Sequence, residues 1–458
     1  MKTKNLLLIT AITVGLGSVL TSCSKEEGCT DITAENFNAE AEKDDGSCTY
    51  KVDVTTPTPG VTPPVGGETI TVTDNTGTIT WTKNNVYLLD GFVFVNSGDV
   101  LTIEAGTVVK GKAGTGASAA ALIVAKGAKI NACGTATNPI IFTFEADPLN
   151  GSVGMTTTGQ WGGLILLGDA GLNTVPATQN IEGIPTSEPR GSYGGSNDLD
   201  NSGSLCYVSI RHGGTDIGAG NEINGLTLGG VGAGTSIHHI EVVANADDGI
   251  EFFGGTPNLK HILVSNVLDD SFDYDQGFRG KGQFWVAIEN ANSDRGGEHD
   301  GGTSPEDGLP YATPVIYNST YIGNGSSRAI TFRDNAGGEY HNTVFHNFGK
   351  GIDIEDLATG EDSKARLDAG ELRLAGVVLS AIGSNNIVDN NGTDLSGHAN
   401  ISNISTSAAG ITAANPVPSS SLGTGTASTD TWYDNVTYMG AFDANGTNWA
   451  SGWTLTFQ

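Results

Sequence analysis

From residue 68 onward, short apolar, β-branched runs alternate with Gly, Asn and Asp clusters. VLTIEAGTVVKGK (100–112), AALIVAKGAKINACGT (120–135) and NPIIFTF (138–144) are early examples. Within each run the apolar positions recur with a period of two, which predicts short strands burying alternate side chains. Glycine between them supplies the positive φ of a sharp corner. A longer period appears in the second half. IHHIEVVAN, NLKHILVSN, FWVAIEN, TYIGN and NTVFHN end in Asn245, Asn266, Asn290, Asn324 and Asn347. Their spacings of 21, 24, 34 and 23 residues fit one turn of a stacked solenoid, with an insertion in the third gap. The five asparagines are expected to stack and bond neighbouring backbones. A second strand follows each: DDGIEFF, DDSFDYD, GGEHD, RAITFRD and KGIDIED.

This pattern predicts an all-β fold, a right-handed single-stranded parallel β-helix over 68–458. A doubly wound α/β fold needs a crossover helix between parallel strands. The only helix the sequence predicts is DSKARLDAGELRL (362–374), which reads as an insertion. A sandwich or propeller would show hairpin turns without the long register. Strands stacking about 4.8 Å apart in roughly 11–14 coils give a rod about 55–65 Å long. Trp432, Trp449 and Trp453 are assigned to a cap over the last coil, because an open β-helix end exposes unpaired strand edges.

Composition narrows the function classes. There are 66 glycines among 458 residues, without a collagen period. Acidic residues outnumber basic ones 51 to 22, for a net charge of −29. That balance argues against a nucleic-acid partner, since phosphate binding needs a basic face.

The N-terminus reads as an address. Lys2 and Lys4 precede a short apolar run, Leu6 to Leu20, too short for a comfortable membrane span. Leu20-Thr21-Ser22-Cys23 resembles the lipobox of bacterial lipoproteins. The resemblance implies a signal peptide at 1–22, an acylated (palmitate-bearing) Cys23 and an outer-membrane anchor. Ser24-Lys25-Glu26-Glu27 resembles the signal for display on the outer face in Bacteroidota; a solvated charge run is the alternative. GCTDITAENFNAEAEKDDGSCTY (28–50) resembles a module of marine Bacteroidota surface proteins. Within that 23–50 segment, Cys29 and Cys48 would close a disulfide loop in an oxidising compartment. Asp31, Asp44 and Asp45 offer oxygen ligands for calcium, although DDG is also an ordinary turn. The Thr/Pro/Gly stretch at 51–67 is a stiff spacer.

LTIEAGTVVKG (101–111) followed by GAKINACGTATNPIIFTF (127–144) resembles the opening of bacterial right-handed parallel β-helices. WGGLILLGDAGLN (161–173), IEGIP (181–185), GNEINGLTLGGVGAGTSIHHIEV (220–242), DRGGEHDGG (294–302) and MGAF with NWASGWT (439–454) are similar to one Bacteroidota family of secreted or lipid-anchored β-helix proteins. Its function is mostly undefined, so the resemblance carries no catalytic residue across. No type IX sorting domain is expected after Trp453, in keeping with anchoring at Cys23.

Chemistry concentrates on one face. With Ile250, Phe252, Phe272, Tyr274, Ile330, Phe332, Ile352 and Ile354 inward, Glu251, Asp273, Glu298, Thr331 and Asp353 form one outward column. Phe253, Asp275, Asp300, Arg333 and Glu355 form the next. Three readings fit. A polysaccharide lyase or hydrolase would draw on Asp273, Asp275, Glu298, His299, Asp300, Arg279, Arg295 and Arg333. The columns would instead hold calcium, with Asp275 a ligand, or bind glycan. Or they form a solvated face that blocks edge pairing. The leading reading is an adhesive, glycan-binding or structural surface protein; other surface proteins are further possible partners. The sequence has no Walker, HExxH or nucleophile motif. His238-His239 has no third ligand at zinc spacing. Cys133 and Cys206 read equally as a pair or as separate buried thiols. Trp161 and Trp285, like the C-terminal tryptophans, offer sugar-stacking rings, with packing the commoner use.

Overall fold

The structure is a computed structural model describing residues 27–30, 36–38, 41, 43–44, 67–217, 222–302, 304–444 and 446–458. Cys23, Asp31, Asp45, Cys48 and the 51–66 spacer lie outside these residues. The chain divides into two units, 1–51 and 52–458. In the first, Glu27–Gly28 pairs in parallel with Lys43–Asp44, and Cys29 is buried.

The second unit is a right-handed parallel β-helix. A 25-stranded sheet system winds through it, and each strand pairs with its equivalents one coil earlier and later. The reason is visible in the alternation. Ile250 and Phe252 stack beneath Phe272 and Tyr274, and Ile330 and Phe332 beneath Ile352 and Ile354. All eight are under 2% exposed and belong to one continuous core. No coil could bury these rings alone, so stability comes from stacking.

Two corners adopt left-handed backbone. One bends long strands in mid-course. Its register column runs Tyr207, His239, His261, Phe284, Asn318, Asn342, Gly376 and Asn403, all with φ between 47° and 75°. Tyr207, His239, His261 and Phe284 are neither glycine nor asparagine, so the bend costs each of them about 1–2 kcal/mol. Ring stacking offsets part of that cost at about 0.5–1.5 kcal/mol per pair. Tyr207 stacks on His239 at 4.3 Å, His239 on His261 at 4.4 Å, and His261 lies 4.8 Å from Phe284. Both His238 and His239 are buried, so neither of the pair faces open solvent.

The second corner corrects the expected asparagine ladder. Val243, Ser265, Ile288, Ile322 and His346 share a register row. Asn245, Asn290 and Asn324 therefore lie two residues beyond it, but Asn266 and Asn347 lie only one beyond, with φ of 57° and 61°. The amides of Asn290 and Asn324 donate to the preceding coil, at Val267 O (3.2 Å) and Asn290 O (2.7 Å). Asn266 and Asn347 are at the left-handed step, a conformation asparagine tolerates, and Asn347 still donates to the preceding coil at Gly323 O (2.8 Å).

Three other expectations change. The helix spans only Ser363–Ala369, capped by the Asp362 carboxylate and left-handed Gly370. The rest of the expected segment is strand Leu372–Ser380, whose apolar alternation wins over helix propensity. The C-terminal tryptophans do not close the last coil. The chain after residue 406 turns back along the flank, because outward Leu263, Val286, Ile288, Ile322, Val344 and Val378 leave an apolar stripe there. It is pinned by Asn342 to Thr426, Asn318 to Tyr438 and Glu241 to Leu455. Finally, Cys133 and Cys206 are paired. They are register partners on adjacent coils, with Cα atoms 4.5 Å apart and an insertion-bearing 73-residue separation.

Candidate functional site: an acid-lined sheet face

The second sheet column changes character along the rod. In the early coils its outward residues are apolar: Phe94, Ile123, Ile165 and Leu167. The segment carrying Leu172, Ile181, Ile184 and Tyr193 folds over them and keeps them dry. The outward row then becomes Thr227 and Glu251, both still buried, followed by Asp273, Glu298, Thr331 and Asp353, in unbroken register. The neighbouring row pairs Phe253 with Asp275 and Asp300 with Arg333. The outward columns read from the sequence are thus those of the fold. They are legible because side-chain direction follows strand period two.

The site residues do not all converge. Glu298 is the hub: Arg295 Nη1 lies 2.9 Å from one carboxylate oxygen and Arg333 Nη2 3.0 Å from the other. Arg333 also grips Asp300, with Nε at 2.7 Å and Nη2 at 3.1 Å. Arg295 reaches on to Asp294 and Asp270. Asp273 lies between Glu251 and Glu298 in the row. Arg279 is drawn away to Asp198, at 3.0 Å through both oxygens. Asp275 accepts from the Gln276 amide.

His299 leaves the candidate set. It occupies the inward position between Tyr274 and Phe332, is fully buried, stacks on Tyr274 at 4.0 Å, and shares a 2.6 Å hydrogen bond with the Tyr340 hydroxyl. Burial pushes its pKa down to about 3. Trp161 and Trp285 are also core residues, their indole N–H groups donating to Arg211 O and Leu259 O.

Electrostatics follow from burial. Asp273 is held well above the usual carboxylate range by burial and then by Glu251 and other neighbouring carboxylates. Asp300 is pushed up to about 7 by burial, against the opposing pull of Arg333. Burial also raises Glu298 while Arg295 and Arg333 pull it back. The face therefore contains carboxyls able to hold a proton at neutral pH beside guanidinium-bound ones.

The strongest acid concentration was missed in the sequence. It lies at the corner preceding these strands, where Asp247, Asp248, Asp269, Asp270 and Asp294 gather with Glu251 and Asp273. The signal was present: the Asp-Asp pairs of DDGIEFF and DDSFDYD recur one coil apart. Glu182, from the covering segment, bonds Glu251. It is remote in sequence and had no such signal.

Comparison with known proteins agrees with this architecture. The family described as "Pectate-lyase like beta helix domain" matches residues 71–454. No curated protein and no solved structure matches the chain. With the family match running through both the covered and the acid-lined coils, the chain belongs to the pectate-lyase-like β-helix domain family.

Proposed function

We propose that this chain is a lipid-anchored protein of the bacterial outer surface whose β-helix binds extended glycans along the acid-lined face, in an adhesive or structural role. The Asp273–Glu298–Thr331–Asp353 row carries the reading. It repeats polar groups coil by coil, and Arg295 and Arg333 fix its centre. A chain of repeating sugars meets a regular array whose ordering cost is already met by the fold. Cys23 and the spacer would hold that array off the membrane. The full chain carrying Cys23→Ser should bind polysaccharides in affinity electrophoresis, and Asp273→Asn with Arg333→Ala should abolish the retardation. For anchoring, Cys23→Ala should move the protein from the membrane to the soluble fraction in its native host.

One observation favours a second reading, a polysaccharide hydrolase or lyase. Asp300 and Glu298 share Arg333, and Asp300 holds a proton near neutrality. A proton-bearing carboxyl beside an ionised one is the arrangement that general acid–base cleavage uses. Chain scission that disappears in Asp300→Asn and Glu298→Gln would support it.

A further inference from the structure

We propose that the corner formed by Asp247, Asp248, Asp269, Asp270 and Asp294, with Glu251 and Asp273, binds divalent cations of calcium's size through shared carboxylates. Three overlapping triads make up the cluster: Asp247/Asp248/Asp269, Asp248/Glu251/Asp273 and Asp269/Asp270/Asp294. In each, the ligand oxygens lie within 4.8 Å of one another. Asp248 and Asp269 belong to two triads each, so the sites form a chain along the rod rather than isolated pockets. Calcium with oxygens at about 2.3–2.6 Å spans about 4.6–5.2 Å between opposite ligands. Magnesium demands a near-ideal octahedron at about 2.0–2.1 Å and gives up its waters reluctantly, so a cluster of many shared carboxylates favours calcium.

Buried oxygens without partners point to the same place independently of the charge count. Asn224 is 2% exposed, and its side-chain amide donates to Glu251 while its Oδ1 has no hydrogen-bond partner. Asp270 is also 2% exposed and has an unpartnered Oδ1. Asp273 Oδ1 is likewise buried and unpartnered. Leaving such groups without partners costs about 1–3 kcal/mol each, more when charged, and an ion is one of the few groups that would satisfy several together. Arg295 pairs with Asp270 and Asp294, at the other end of the cluster from Asp248, Glu251 and Asp273.

The test uses the full chain with Cys23→Ser, stripped with chelator, in calorimetric titration with calcium and then magnesium. Calcium binding is expected, with a rise in Tm of about 3–5 °C at saturating ion, and magnesium should bind at least tenfold more weakly. Asp269→Asn, in two triads, should lower calcium affinity at least tenfold. Asp294→Asn, whose side chain is 55% exposed and tolerates replacement more readily, should weaken it less. Circular dichroism checks that both variants are folded. No calcium heat and no Tm shift in the parent chain overturns the proposal. So does parent-like calcium affinity in folded Asp269→Asn and Asp294→Asn, which would place the ion elsewhere. Neither result depends on whether the neighbouring face binds glycan.

Discussion

Arg333 and Asp300, register partners on adjacent coils, are joined by two side-chain hydrogen bonds of 2.7 and 3.1 Å, and the same guanidinium reaches Glu298 at 3.0 Å. One arginine thus holds two carboxylates of the outward face in fixed positions. Arg333→Gln would leave Asp300, only 17% exposed, without its guanidinium. The expected loss is about 1–2 kcal/mol, moderated because Arg333 is itself 41% exposed. Urea denaturation of parent and variant measures it, and an unchanged midpoint would show the pair to be energetically idle.

Stability should fall as pH rises through neutrality. Burial pushes Asp300 up to about 7 and Glu289 up to about 8. Unfolded, both groups ionise near 4. Between about pH 4 and 8 the folded chain therefore holds protons that the unfolded chain has released, so these groups contribute stability at low pH that is lost as pH rises through their folded values. In chelator, Tm should be higher at pH 5 than at pH 8, and Glu289→Gln should flatten the slope. A Tm that rises across that interval and is unaffected by Glu289→Gln contradicts the assignment.

Glu241 should act as the clasp of the C-terminal segment. It is fully buried and accepts from Leu455 N, Thr456 N and the Thr456 hydroxyl, each at 2.8 Å, and from the Ser209 hydroxyl. Arg211, 4% exposed, is bonded to that same serine. Glu241→Ala removes four acceptor contacts and the buried counter-charge, for an expected cost of about 3–5 kcal/mol. Limited proteolysis should then cut after residue 406 well before the coils themselves. Simultaneous loss of segment and coils would show that the two unfold as one.

The Cys133–Cys206 bond closes a 73-residue span. Loop-closure entropy assigns such a bond about 4 kcal/mol, with wide scatter. The Cys133→Ser, Cys206→Ser pair should accordingly lower the denaturation midpoint.

Much of this architecture can be read from alternation alone. Ile250-Glu251-Phe252 and Phe272-Asp273-Tyr274 declare their inward and outward sides, and a shared core fixes their register. What alternation cannot supply is conformation at a corner. Asn266 and Asn347 look equivalent to Asn245 in the sequence, yet stand one step earlier, at the left-handed φ which that step requires, and Asn347 keeps its bond to the preceding coil as well. His299 resembles a catalytic candidate beside Glu298 and Asp300, but the same period of two sends it inward. Contacts made across long separations were the least accessible. Cys133 with Cys206, Glu182 over Glu251, and Glu241 with Leu455 depend on insertions and on a returning segment that no local pattern encodes.

The central claim is that the acid-lined face recognises glycan. Its most direct measurement is retardation of the full chain carrying Cys23→Ser in affinity gels containing neutral or acidic polysaccharides, alongside Asp273→Asn/Arg333→Ala. Retardation by at least one polysaccharide, lost in the folded double variant, is the predicted result. Retardation that persists in the variant, or none with any polysaccharide, would contradict it.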